Sequence, residues 1–344
     1  MPTAIAPRYT CHLLSKPKVH MSAIPLLRAL KGKIAPKLVL NRAPLDEKIA
    51  SLTIERDGLL VQRDALLSAI EVRAQENGAA SPANAPAMTH EFMGYQIPID
   101  LMLLTGGGPE SFDIISASHT ANLQRWIGLE PDHTLLEVGC GIGRDAIPLT
   151  QILRNGRYIG IDIIGKSIEW CQKNIAARHS NFEFHHFNVE DQLHNSQGTT
   201  KTADITLPAE NNSIDRIILF SVFTHMFQAD IEHYLGEFRR VLKPDGMVYA
   251  TTFIFNDEIL HSARATNLTP FDLRFEYEAT PGCRINDPVH PLGAVAYTKE
   301  TWDVMSRRSG LRYAKPFLKG AWSGFYPDPQ DGQDVVILTP DSHL

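Results

Sequence analysis

The chain has 344 residues, 43% of them apolar and 21% charged, with a net charge of −6. That length suits one large globular domain with appendages, and the mild negative charge gives no reason to expect a nucleic-acid partner. Four scattered cysteines (Cys11, Cys140, Cys171, Cys283) argue against a disulfide framework or a zinc site and fit a reducing, cytoplasmic compartment.

Charge is uneven along the chain. Residues 1–45 hold eight Lys or Arg and no acid, leaving 25 basic against 39 acidic residues in the remainder. Such an arm can touch anionic lipid at a membrane periphery or a polyanionic partner. It can also be a solvated leader ahead of Met21, which is the reading favoured here. No apolar run is long enough to span a bilayer, and no signal-peptide core with a cleavage site is evident.

Residues 45–78 read as a helix with a coiled-coil-like seam over 45–73. Leu45, Leu52, Leu59 and Leu66 fall on d, and Ile49, Arg56, Arg63 and Ile70 on a. Two arginines at a weaken a parallel dimer, so the helix either self-associates loosely or packs its seam elsewhere. Asn77-Gly78 ends it, and the Ala-, Pro- and Ser-rich stretch that follows makes 79–90 a linker. From 91 onward the pattern is that of one domain. Pro109 and Ser111 open a helix reaching about Ile127. Strands are expected at 134–138, 158–163, 182–188, 214–222 and 247–255, with helices at 144–154, 165–178 and 229–242 between them. Lys243-Pro244-Asp245-Gly246 is a turn signal. Residues 191–212 read as an irregular excursion and 256–296 as a long loop of the kind that usually carries function. A helix at 298–309 and strands near 311–318 and 334–339 complete the chain. Alternation at this rhythm predicts an α/β fold, a doubly wound Rossmann-like sheet, with ligands at the carboxyl ends of the strands.

The central stretch is Leu135-Leu136-Glu137-Val138-Gly139-Cys140-Gly141-Ile142-Gly143-Arg144. A buried strand turns sharply into a helix, and alternate glycines permit positive φ and close approach of a ligand. Amides at the helix start are expected to face that ligand. Asp162, nineteen residues past Gly143 at the tip of the next strand, stands where a ribose diol is gripped in dinucleotide sites. A dinucleotide fingerprint wants its third glycine at 144, where Arg144 stands.

Glu137 with Gly139, Gly141 and Gly143, the Asn211–Ile217 run, Ser221–Met226 and Arg240–Gly246 resemble successive landmarks of class I S-adenosylmethionine (SAM) methyltransferases. The resemblance covers most of 91–344 and is similar to bacterial enzymes often found with glycan and secondary-metabolite assembly genes. It implies a seven-stranded sheet whose last strand is antiparallel, SAM as cofactor, and methylation, expected on oxygen, of a sugar, glycan or other small hydroxylated acceptor.

The resemblance places Glu137 and the three glycines at the methionine end of SAM and Asp162 on both ribose hydroxyls. Adenine is expected just after the third strand. There Asn188 replaces the family's usual Asp and the Val189 amide can reach a ring nitrogen, with Glu190 or Asp191 as substitutes. Ser221 is expected near the ammonium group. His225, just after the fourth strand, is the candidate base for a hydroxyl, with His261, Asp257 and Glu258 in reserve. No metal is expected: adjacent His185 and His186 point to opposite faces of a strand. Phe271, Phe275 and Tyr277 either line an acceptor pocket or form a satellite core. Two rival readings are an NAD(P)-dependent oxidoreductase, disfavoured by Arg144 and by the lack of any Tyr-x-x-x-Lys pair, and a non-catalytic scaffold acting through 45–73.

Overall fold

The computed structural model describes residues 88–190, 195, 198–269 and 271–342. The basic arm, the 45–78 helix, most of the linker and Asp191 lie outside the described residues. Described structure opens on a hairpin, β1 (Thr89–Phe92) and β2 (Tyr95–Pro98), so the linker ends before 90. Met93 and Gly94 both take positive φ, 49° and 82°, the handedness that matches strand twist in a two-residue turn. Two helices follow, α1 (Ile99–Leu103) and α2 (Pro109–Ile127). α2 carries proline in its first turn, as read from the sequence, and ends on Gly128 at φ 55°.

Seven strands then form one sheet in the order β12-β13-β7-β6-β3-β4-β5. β3 (Thr134–Val138), β4 (Arg157–Asp162), β5 (Phe182–His186), β6 (Ile214–Leu219) and β7 (Leu242–Thr252) are mutually parallel. β13 (Asp334–Pro340) runs antiparallel to β7, and β12 (Leu311–Tyr313) antiparallel to β13. This is the expected doubly wound sheet with its antiparallel last strand.

The strand sequences explain why both faces are covered. Leu135, Tyr158 and Ile218 pack under α2, α3 (Ala146–Ile152) and α4 (Gly165–Cys171). Leu136, Ile159 and Ile217 pack under α5 (Gln228–Val241) and a later helix, Lys299–Arg308. Each of these fully buried side chains contributes about 1.5–3 kcal/mol by leaving water. The strands read as near-continuous apolar runs because neither face meets solvent.

Three expected features change. Lys243–Gly246 is an excursion inside β7, where pairing with β6 jumps from Ile214↔Leu242 to Arg216↔Met247; Lys243 is held there by Asp215 at 2.8 Å. The expected strand 247–255 divides at Phe253: β7 ends at Thr252, and β8 (Ile254–Phe255) belongs to a second sheet. The expected loop 256–296 is structured. It contains α6 (Asp257–Thr266), β9 (Tyr277–Thr280), β10 (Cys283–Ile285) and β11 (Val295–Thr298), which build a four-stranded sheet in the order β8-β11-β10-β9. Its helix rests on a separate apolar cluster around Phe253, Phe275 and Trp322. α7 is the helix Lys299–Arg308 already placed.

Asp334 joins the two sheets. It is fully buried, and its carboxylate accepts from Ile254 N (2.8 Å), Trp322 Nε1 (2.7 Å) and Gly320 N (2.8 Å). Burial pushes its pKa up to about 6, although the three N–H groups pull the other way. Asp334→Ala strips one acceptor from three buried donors and is expected to cost about 3–4 kcal/mol at neutral pH, measured by urea unfolding. The native pKa lies above the unfolded value. The native state therefore holds the proton more tightly, and the Asp334 contribution to stability falls as pH rises from about 4 through about 6.

Candidate active site

The carboxyl edge of the parallel strands gathers the candidate residues. Gly139, Gly141 and Gly143 all take positive φ, at 79°, 51° and 81°. A Cβ would come within 2.5 Å of Val222 Cγ2 at Gly139, 2.7 Å of Thr105 Cγ2 at Gly141 and 2.6 Å of Ile175 Cδ1 at Gly143. The positive φ is what favours glycine here, and the close neighbours are side-chain ends that can shift. The loop amides are largely spent on the protein. Gly139 N and Cys140 N donate to Ile161 O, Gly141 N to Asp162 Oδ2, and Gly143 N to Cys140 O. The amide cradle expected from the sequence is narrower than anticipated, because these bonds fasten the loop to β4. Gly139 keeps an exposed face at the strand tip, while Gly141 and Gly143 are buried.

Asp162 stands at the end of β4 and is 8% exposed. Oδ2 accepts from Gly141 N at 2.6 Å and Oδ1 from Ile164 N at 2.8 Å. It thus fixes the glycine loop to the segment after β4, in the place expected of a ribose-binding acid. Glu137 is placed differently from its expected contact. It is 2% exposed and accepts from Tyr158 OH at 2.5 Å. Burial, reinforced by the negative charge of Asp145, raises its pKa well above the carboxylate range. A side chain so enclosed braces β3 against β4 and presents no open carboxylate to an ammonium group.

The excursion after β5 folds over its own polar groups. Val189 N donates to Phe187 O, Asn188 Nδ2 to Thr199 Oγ1, and Asn195 Nδ2 to Asn188 Oδ1. The two groups expected at adenine are therefore engaged within this turn, though Asn188 stays exposed at the edge. Ser221 follows β6 with φ 57°, a left-handed conformation uncommon for a non-glycine residue. Its N–H donates to Thr251 Oγ1 and its hydroxyl accepts from Gln333 Nε2. That strain sits next to Val222, which closes on Gly139, and marks the edge as a shaped site.

His225 lies in a short turn, Phe223–His225, half-buried. Its Nδ1 contacts Leu292 O at 2.9 Å. A carbonyl only accepts, so Nδ1 carries the proton and Nε2 the lone pair of the neutral ring. Leu292 belongs to the accessory lobe, which also donates Tyr297 OH to Met226 O. The reserve bases Asp257, Glu258 and His261 lie on α6, where they line an open cavity of about 690 Å³ with Phe325. Phe275 is fully buried in the third cluster, whereas Phe271 and Tyr277 are exposed. His185 and His186 separate as expected, the first half-buried and the second bonded to Ile163 O. Among the described residues, one group with metal-ligand spacing is Glu130, Asp132 and His133, which precedes β3 at the opposite edge of the sheet.

Sequence reasoning missed a polar cluster under the loop. His119 of α2 stacks on Phe220 with centroids 3.6 Å apart and contacts both oxygens of Asp145 at 3.0 Å. Burial opposes the Asp145 charge, yet His119 and Arg144 hold its pKa below the usual value. Arg144 beside it has a buried Nε with no hydrogen-bond partner.

Residues 129–279 match the family model of a methyltransferase domain. The matched stretch is a methyltransferase domain. Its relatives by sequence include sterol 24-C-methyltransferases of Gibberella zeae, 29% identical over 148 residues, and of Schizosaccharomyces pombe, 26% identical over 149. Each alignment covers 43% of this chain and 35% of the relative, so the chain spans about a third of their length. A SAM-dependent methyltransferase structure from Methanosarcina mazei is 18% identical with a TM-score of 0.40, covering 62% of this chain and 94% of that one. SAM is the cofactor of this methyltransferase domain. The residues present fit it: a buried acid at the tip of β4, a strained open turn after β6 and an orphaned guanidinium N–H suit a zwitterionic molecule bearing a diol. Among the described residues no helix is long and apolar enough to cross a membrane.

Proposed function

We propose that this protein methylates a hydroxyl oxygen of a sugar, glycan or other small hydroxylated acceptor. The observation that carries the reading is the setting of His225, whose Nδ1–H is pinned to Leu292 O. That bond selects the tautomer in which Nε2 can take a proton. SAM, when bound, supplies an already activated methyl group, so the chain's task is alignment and deprotonation. Asp162 and the glycine loop position the nucleoside, and His225 Nε2 accepts the proton of the acceptor hydroxyl. The accessory lobe supports this by fixing the histidine through Leu292 and the following turn through Tyr297. A histidine oriented in this way suits oxygen, because a neutral amine acceptor needs no proton removed before it reacts.

The test is incubation of the full chain with methyl-labelled SAM and a panel of free and carrier-linked sugars, followed by mapping of the label. Label on oxygen is the expected result. Label on carbon or nitrogen would overturn the oxygen assignment while leaving the methyltransferase reading in place.

A further inference from the structure

The cavity beside α6 has the size and the walls of a small-molecule site. Asp257, Glu258, His261, Ser262 and Ala265 follow one another at helical spacing along α6 and line it together with Phe325. Its volume of about 690 Å³ falls within the range of such sites, roughly 300–1,000 Å³.

Both walls hang on one carboxylate oxygen. Asp334 Oδ2 accepts from Ile254 N, ahead of α6, at 2.8 Å, and from Trp322 Nε1, ahead of Phe325, at 2.7 Å. Thr266 Oγ1 donates to Ser323 O at 3.1 Å, closing the far end of α6 on the Phe325 loop. Gln333, the neighbour of Asp334, donates from Nε2 to Ser221 Oγ at the edge of the parallel strands. The cavity is thus held in the same frame as that edge, and a frame set before binding spares the ligand an ordering cost.

The polar groups of the lining are uncommitted. The side chains of Asp257, Glu258 and His261 are exposed and enter no hydrogen bond or ion pair among the described residues. The helix does not need the acids as a cap, because Asn256 Oδ1 accepts from Ile259 N. Nearby cations are turned elsewhere: Arg264 donates to Arg274 O and Phe275 O, and Lys319 Nζ lies over the Tyr326 ring. The lining therefore carries two carboxylates, no Lys or Arg, and one aromatic face. A ligand that fits has hydroxyls and a positive charge for the carboxylates and an apolar face for Phe325.

We propose that this cavity is the acceptor site and that it takes an amino sugar, the ring lying on Phe325 and the ammonium held by Asp257 and Glu258, an assignment that rests on the hydroxyl-methylation reading. Glucosamine and glucose test it, since they differ by an ammonium in place of one hydroxyl. Each is titrated calorimetrically into the full chain saturated with S-adenosylhomocysteine, as wild type, Asp257→Asn, Glu258→Gln and Phe325→Ala. Glucosamine is expected to bind roughly tenfold more tightly than glucose. Each acid variant should weaken glucosamine by roughly 3–10-fold and leave glucose within about twofold, whereas Phe325→Ala should weaken both. Equal affinity for the two sugars, binding of neither, or glucosamine affinity unchanged in both acid variants overturns the proposal. So does a loss of S-adenosylhomocysteine affinity in step with glucosamine, which marks a structural role. Label transferred to the oxygen of a neutral sugar, without any glucosamine preference, leaves the oxygen-methylation reading standing and overturns this inference alone. Wild-type protein that does not bind S-adenosylhomocysteine overturns the cofactor reading and this inference with it.

Discussion

His225→Ala is expected to leave SAM affinity nearly unchanged and to lower turnover by roughly 10²–10⁴-fold, the usual worth of a positioned general base. The expectation follows from where the ring sits and how it is held. It stands three residues past Val222, the side chain that closes on Gly139, and its Nδ1 is fixed by Leu292 O. The Leu292 bond gives His225 a second role, tying the turn after β6 to the accessory lobe. His225→Asn separates the two roles. An amide N–H can still donate to Leu292, but no base remains. If His225 is the base, both variants are equally inactive and the Asn variant retains the wild-type melting temperature. If His225 is purely structural, the Asn variant recovers most of the turnover, and the base is then to be sought among His261, Asp257 and Glu258 of α6.

Asp162→Ala is the second large effect. Loss of a bidentate ribose contact should weaken SAM by on the order of 2–4 kcal/mol, roughly 30- to 1,000-fold. The carboxylate also accepts from Gly141 N and Ile164 N, so its removal loosens the loop that must receive the ligand. Asp162→Asn keeps one acceptor oxygen and is expected to lose less. Calorimetric titration of both variants, with unfolding curves alongside, separates lost ligand contact from lost loop order. SAM affinity unchanged in a folded Asp162→Ala protein would reject Asp162 as a cofactor residue.

The parts of the fold that could be read from the chain are those written in short range. β3, β4 and β6 announce themselves as apolar runs because both faces of the central sheet are covered, and Pro109 and Gly128 punctuate α2. The accessory sheet was hidden for a physical reason. Tyr277–Thr280 is exposed at every position and so shows no alternation, and Cys283–Ile285 alternates over only three residues, too few to signal a strand. The Met93-Gly94 turn lacks the Asn or Asp that flags a hairpin.

The site divides the same way. Asp162 and the three glycines are legible because strand-end spacing fixes them. Burial of Glu137 against Tyr158, the His119–Asp145 contact and the Asp334 hub depend on partners 21, 26 and 80 residues away, which no local pattern encodes. Ser221 reads as the end of a strand, yet Thr251 and Gln333 hold it in a left-handed turn.

Calorimetric titration of the full chain with SAM and, separately, with NAD tests the central claim most directly. A one-site SAM isotherm that is lost in Asp162→Ala, with no heat from NAD, is the predicted result; binding of NAD with none of SAM would contradict it.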